Sequence, residues 1–387
     1  AFTAMFDIPL LLGITKTASI WLCVWSIGII GSIYAVFGGL KAVAVSDTIN
    51  AVGLLVGGLM IPAFGLSAIG DGSVLHGLSI LTAEHPDKFD AIGGPTDPVP
   101  FATIFTGMML VQLFYWGTNQ AIIQRALAAS SLKEGQKGLL LAAFIKILGP
   151  IIVVLPGLIA FHLFNGELES PDTAYPMLVK EVLPSAWVGF FAAVLFGAIL
   201  SSFNSVLNSS VTLFGIDIYK QHINTDATEK MVVKHGKTFG VILAITALFI
   251  APLIANAGSL FNYLQEINGI YSIPIFSIII VGYLTKYVPA IAAKVAIILG
   301  SVLYFISQFV LKPYVFGDDN YLHFLHVMAI LFVMNIIIML IIGQLKPRTT
   351  DFELAYSKEV DITPYKYAKQ VSLVILLIVI SSYVYFS

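Results

Sequence analysis

The chain has 387 residues, of which 58% are hydrophobic and 11% charged, with a net charge of -2. Soluble domains carry roughly a quarter charged residues, so this composition excludes a soluble globular protein, and the lack of a basic tract excludes a nucleic-acid partner. Apolar runs of helix length, without the ten-residue alternation of an outer-membrane barrel, define an all-α polytopic membrane protein whose surroundings are a lipid bilayer.

The chain begins AFTAMFDIPLLLGIT, without an initiator methionine or a cleavable signal, and reads as though entered partway through a larger protein. Its one cysteine, Cys23, falls in an apolar segment and supports neither a disulfide framework nor a cysteine-based metal site. Ten spans are expected, at about residues 17–38, 44–70, 103–127, 137–163, 188–219, 235–256, 258–286, 289–311, 322–345 and 367–386. Asp47 sits just inside the start of the second, as a helix N-cap or as a way-station for a cation.

The third span, TGMMLVQLFYWGTNQAIIQRAL, places Gln112, Thr118, Asn119 and Gln120 around Gly117. A glycine among polar residues at bilayer depth is where a helix can unwind and free backbone groups for a ligand. Gln112, Tyr115 and Trp116 share a face at i, i+3 and i+4. An amide beside aromatic planes suits a neutral polyhydroxylated solute, the amide pairing with hydroxyls and the ring with the apolar face. A glycine kink with interfacial aromatics is the plainer alternative.

The fourth span, Gly138 to Phe164, contains one lysine, Lys146, and otherwise only His162 among side chains able to carry charge. At 1.5 Å per residue Lys146 lies roughly 12 Å inside. An ammonium there costs about 2.5 to 3.5 kcal/mol on insertion scales, so it either faces a polar site in the bundle or snorkels to the interface. In the fifth span Ser201, Asn204, Ser205, Asn208 and Thr212 form a stripe, and the Ser201 and Ser202 hydroxyls with the Ala198 carbonyl offer neutral oxygens to a monovalent cation. Such a stripe is also how membrane helices pack closely. The seventh span sets Asn262, Gln265, Glu266 and Asn268 ahead of Gly269 and Pro274, as a ligand-facing segment, a hinge or a helix end at the water interface.

Signals of an enzyme are weak. The seven histidines include no HExxH, His323 and His326 lack carboxylates nearby, and no phosphate-binding loop is present. With the loops assigned alternately to two sides, fifteen lysines and arginines fall on one side and four (Lys16, Lys88, Lys180 and Lys312) on the other. The basic side is cytoplasmic, so the loop Asp71 to Pro100 and the segment FNGELESPDTAYP face outward.

At FYWGTNQAIIQRALAA, AAFIKILGPIIVVLPG, LSSFNSVLNSS, the I-D-I-Y at 216–219, and FNYLQEINGI, the chain resembles the solute:sodium symporter family, in its bacterial sodium/glucose (galactose) cotransporter branch. The resemblance runs from the GGLKAVAVSDTIN segment to about residue 290, roughly two thirds of the chain. It implies a leucine-transporter-like five-plus-five inverted repeat, incomplete at the N-terminus, with residues 1–286 as a partial transporter core and 287–387 as peripheral C-terminal helices. It further implies a cell-membrane transporter, in the bacterial inner membrane, with sodium as coupling ion and a sugar as solute. In that pattern Ala198, Ser201 and Ser202 are sodium ligands, and Asp47 lies on sodium's inner route. Lys146, Gln265, Gln112 and Trp116 belong to the sugar site, and Tyr115 and Phe261 are gate rings.

Two departures stand out. Gln112 occupies a position where the bacterial sugar carriers have asparagine, and the family's first broken helix precedes anything in this chain. The alternatives are symport of an amino acid, vitamin, sialic acid or inositol, and a non-transporting sensor or scaffold.

Overall fold

The structure, a computed structural model, describes residues 2–95, 97, 99–168, 170–256, 260–317, 321–349 and 360–387. In chain order its helices are α1 (Phe2–Met5), α2 (Ile8–Leu12), α3 (Lys16–Ile69), α4 (Val74–Glu84), α5 (Gly107–Gly117), α6 (Gln120–Leu127), α7 (Leu132–Lys146), α8 (Leu155–Leu163), α9 (Ala174–Val182), α10 (Ser185–Leu213), α11 (Glu229–Ile250), α12 (Leu260–Leu284), α13 (Ala290–Ile306), α14 (Phe324–Leu345) and α15 (Ala368–Tyr385). Among the described residues there is no β-strand beyond an isolated bridge between Ser131 and Asp361, as expected where backbone groups must be satisfied within each segment. Among the described residues, eight segments are long and apolar enough to cross a membrane, or nine if the bent pair Leu132–Lys146 and Pro150–Leu163 is one span.

Two expected boundaries change. The spans at 17–38 and 44–70 belong to one helix, α3, which carries two membrane-length segments, Lys16–Tyr34 and Val45–Ile69. Asp47 is therefore in a helix interior and does not cap an N-terminus. The expected span at 103–127 is two short helices, α5 and α6, broken immediately after Gly117.

The helices form two compact units. The first comprises Ala1–Phe89, Lys137–Leu260 and Lys369–Val379. Its core is apolar, with Ile61 of α3, Leu81 of α4, Ile159 of α8 and Leu178 and Val179 of α9 fully buried. α10 runs antiparallel along the second half of α3: Gly57 meets Phe191, Gly53 meets Val194, and Asn50 fills the space over Gly197. α4 crosses the end of α3 so closely that a Cβ on Gly77 would overlap the Leu66 carbonyl. Backbone cannot yield as a flexible side chain can, so Gly77→Ala should destabilise the protein by about 1 to 3 kcal/mol, the range for overpacking. A lowered midpoint of thermal unfolding in detergent measures this.

The second unit comprises Asp90–Gln136, Phe261–Ala368 and Ile380–Ser387. Ile273 of α12, Tyr304 of α13, and Leu325 and Met328 of α14 make its core. Gly269 and Pro274, read from the sequence as helix breakers, both lie inside a continuous α12. Gly269 is where Tyr304 and Met328 press against the backbone. Pro274 has no N–H for the Ile270 carbonyl one turn back, and Ser301 Oγ of α13 donates to that carbonyl instead at 2.8 Å. Asn335 of α14, fully buried, stands against Gly300 and Pro274.

Candidate functional site

On α5, in the second unit, Trp116 Nε1 donates to Gln112 Oε1 at 3.0 Å. The Tyr115 ring meets the Trp116 ring edge-on, with centroids 5.3 Å apart. The i, i+4 spacing thus gives a carboxamide braced by an indole, and all three side chains are exposed on the surface of the helix. The break after Gly117 is closed by the chain's own groups more fully than its composition suggests. The Phe114 carbonyl accepts from the backbone N–H groups of Thr118 and Asn119 and from Thr118 Oγ1, while Asn119 Oδ1 caps α6 by accepting from the Ala121 N–H. Thr118 and Asn119 therefore serve as caps, while Gln112, Tyr115 and Trp116 keep exposed side chains.

Gln265 is half-buried on α12 of the same unit; Phe261 lies in the first turn of that helix, and its side chain lies outside those described. Glu266 does not mark a water-exposed helix end. Its carboxylate accepts from Lys312 Nζ at 3.3 Å, with both side chains mostly buried, and its backbone carbonyl accepts from the Tyr304 hydroxyl at 2.9 Å.

In the first unit, Lys146 is the last residue of α7, where the span bends by 42°. The cause is local: Pro150 follows four residues later and has no N–H to give the Lys146 carbonyl. The chain tightens, with Ile147 and Leu148 donating to the carbonyls of Phe144 and Ile145, and then widens into a π-helical segment, Pro150–Val154. The ammonium thus stems from a helix C-terminus at bilayer depth, where partial negative charge collects.

Ala198, Ser201 and Ser202 stand at i, i+3 and i+4 on α10 of the same unit, the first two half-buried and the third exposed. Ser205 Oγ donates to the Ser201 carbonyl at 2.7 Å. Next on the stripe, Asn204 is fully buried with both carboxamide atoms lacking a hydrogen bond among the described residues. Leaving such groups unmade costs about 1 to 3 kcal/mol. The antiparallel register that sets Asn50 against Gly197 carries Asp47, one turn earlier on α3, towards the level of Leu200 and Ser201. The stripe is therefore both a packing surface, through Asn204, Ser205 and Ser209, and a line of oxygens.

The other histidines of the sequence reading have structural partners. His323 accepts from the Leu325 N–H at the start of α14, and His326 Nδ1 lies 3.0 Å from Thr106 Oγ1.

Membrane-length helices, with one candidate span bent after Lys146, are the architecture of a multi-pass membrane protein. Residues 4–300 match the model of the sodium:solute symporter family, and the chain belongs to that family, whose members are transporters coupled to sodium. It is 47% identical over 384 residues, 99% of its length, to the uncharacterized symporter YidK of Escherichia coli (strain K12), covering 66% of that protein. It is 35% identical over 289 residues to the sodium/glucose cotransporter of Vibrio parahaemolyticus, covering 69% of this chain and 53% of that one. The chain thus spans between half and two thirds of the length of these relatives. A solved structure of a Na+-coupled sialic acid symporter, in a substrate-bound outward-open state, shares the fold with a TM-score of 0.69 over 91% of this chain and 71% of that one, at 19% identity. The leucine-transporter-like helical fold expected from the sequence is the one observed.

Proposed function

We propose that the protein is a sodium-coupled symporter that moves a neutral sugar of the glucose or galactose type into the cell by alternating access. The observation that carries the choice of solute is the Gln112–Trp116 pair: a carboxamide held by an indole N–H at 3.0 Å beside exposed ring faces, a chemistry that fits a polyhydroxylated ring. The 35% identity to a sodium/glucose cotransporter supports the same reading. Lys146 and Gln265 supply further hydrogen bonds to the sugar, and Tyr115 and Phe261 are its gate rings. Sodium is taken by Ala198, Ser201 and Ser202. Neutral oxygens hold a monovalent ion weakly enough to release it, and the carboxamide of Asn204, one turn from Ser201, is a further polar group left without a hydrogen bond among the described residues. Asp47 lies on the ion's path to the cytoplasm.

Coupling requires each ligand to favour the same conformation, so sodium must raise the affinity for sugar and sugar that for sodium by the same factor. The test is uptake of labelled glucose and galactose into proteoliposomes containing the full-length protein, with and without an inward sodium gradient. Accumulation that depends on the gradient is the expected result. Sodium binding without accumulation of either sugar would shift the solute to another class, an inositol or an acidic sugar, and uptake indifferent to sodium would end the symport reading.

A further inference from the structure

At the ends of α4 and α8 three potential metal ligands converge, none of them assigned to the proposed transport site. His85 Nε2 lies 3.3 Å from His162 Nδ1, and His162 Nδ1 lies 3.4 Å from Glu84 Oε2. All three atoms fall within 4.8 Å of one another. We propose that Glu84, His85 and His162 form a binding site for a divalent transition-metal ion, with zinc the best fit and its fourth position left to water or an external ligand.

The distances themselves favour a metal. Zinc bound to imidazole and carboxylate at about 2.0 to 2.2 Å in a tetrahedron sets its ligand atoms roughly 3.3 to 3.5 Å apart. The two separations involving His162 have that length.

Protons do not satisfy the same arrangement. A neutral His162 carries at most one hydrogen on Nδ1. If Nδ1 is protonated and donates to Glu84, it has no lone pair for His85. If it accepts from a protonated His85 Nε2, that lone pair is used and Nδ1 has no hydrogen to give the carboxylate. A cation at the centre meets all three electron pairs at once. Two nitrogens and one carboxylate select zinc, nickel or copper over calcium and magnesium, which take oxygen ligands.

The ligands are held from below. Leu81, one turn before His85, and Ile159, one turn before His162, are both fully buried in the same core, and the His85 N–H donates to the Leu81 carbonyl at 3.1 Å. The His85 ring stacks edge-on against Phe161, with centroids 5.4 Å apart. The neighbouring cation, Lys88, is paired with Asp87 at 3.5 Å and sits 5.6 Å from the Phe161 ring centroid, so its charge is already offset. The ends of α4 and α8 lie on the side that the lysine and arginine bias assigns outward, where external metal has access. A bound ion would tie the end of α4 to the end of α8.

The test is zinc titration of the full-length protein in detergent after treatment with a chelator, followed by calorimetry and thermal unfolding, with cobalt(II) as a spectroscopic probe. One zinc per chain, a raised unfolding midpoint and the visible absorption of tetrahedral cobalt are expected. His85→Ala and His162→Ala should each weaken zinc binding by more than tenfold and remove the thermal shift. Because either variant could unfold, Glu84→Gln is the third: it keeps the shape of the side chain, removes the anionic ligand, and should weaken binding while leaving the metal-free unfolding midpoint unchanged. Absence of zinc binding in the parent protein, or undiminished binding in Glu84→Gln and in a folded histidine variant, would overturn the proposal.

Discussion

Lys146→Ala should abolish sodium-driven sugar uptake while leaving the protein folded and still able to bind sodium. The ammonium lies at bilayer depth, where its presence costs about 2.5 to 3.5 kcal/mol on insertion scales. Its position at the C-terminus of α7, beside the carbonyl that Pro150 leaves without a helical partner, returns part of that, about 0.3 to 1 kcal/mol and at most about 2 in a partly buried site. On the proposed assignment the ammonium also donates to hydroxyls of the sugar. Hydrogen bonds from a charged donor contribute about 1.5 to 3 kcal/mol each, so removal of one lowers uptake by roughly ten- to hundredfold, and removal of two takes it below detection.

The control is Lys146→Arg, which keeps the charge but presents a planar fork in place of a compact ammonium. It should leave folding and insertion unchanged and recover uptake only in part. If Lys146 instead snorkels to the interface, Lys146→Ala will transport as well as the parent, and the residue leaves the sugar site.

Features encoded within one or two helical turns were legible in the sequence; those that depend on tertiary neighbours were not. The break at Gly117 was readable because glycine, threonine and asparagine interrupt an apolar run, although the same threonine and asparagine then close the break themselves. The stripe on α10 was readable from its spacing. The continuity of α3 was not: Gly38, Gly39 and Lys41 look like a loop, yet glycine costs a helix only about 1 kcal/mol each, and the helix runs from Lys16 to Ile69. Glu266 could be read as a helix end at water because its partner, Lys312, is 46 residues away. The three groups at the ends of α4 and α8 escaped for the same reason. Inspection for metal motifs compares local spacings, and His85 meets His162 across 77 residues.

Ser202→Ala should raise the sodium concentration needed for half-maximal uptake by about tenfold, the effect of losing one oxygen from an ion held by few. The choice of serine matters. Ser205 donates its hydroxyl to the Ser201 carbonyl at 2.7 Å, within its own helix, and is buried. Ser202 lies on the exposed side of α10, and none of the described hydrogen bonds takes up its hydroxyl. Ser205→Ala therefore removes a local helix bond and should leave sodium dependence unchanged, whereas Ser202→Ala, on the proposed assignment, removes a ligand. Because the coupling is reciprocal, the variant's sugar affinity should fall at low sodium and recover once sodium is raised about tenfold. A defect that persists at saturating sodium would instead place Ser202 in the conformational change. Sodium dependence equal to the parent's would remove it from the ion site and return the stripe on α10 to packing alone.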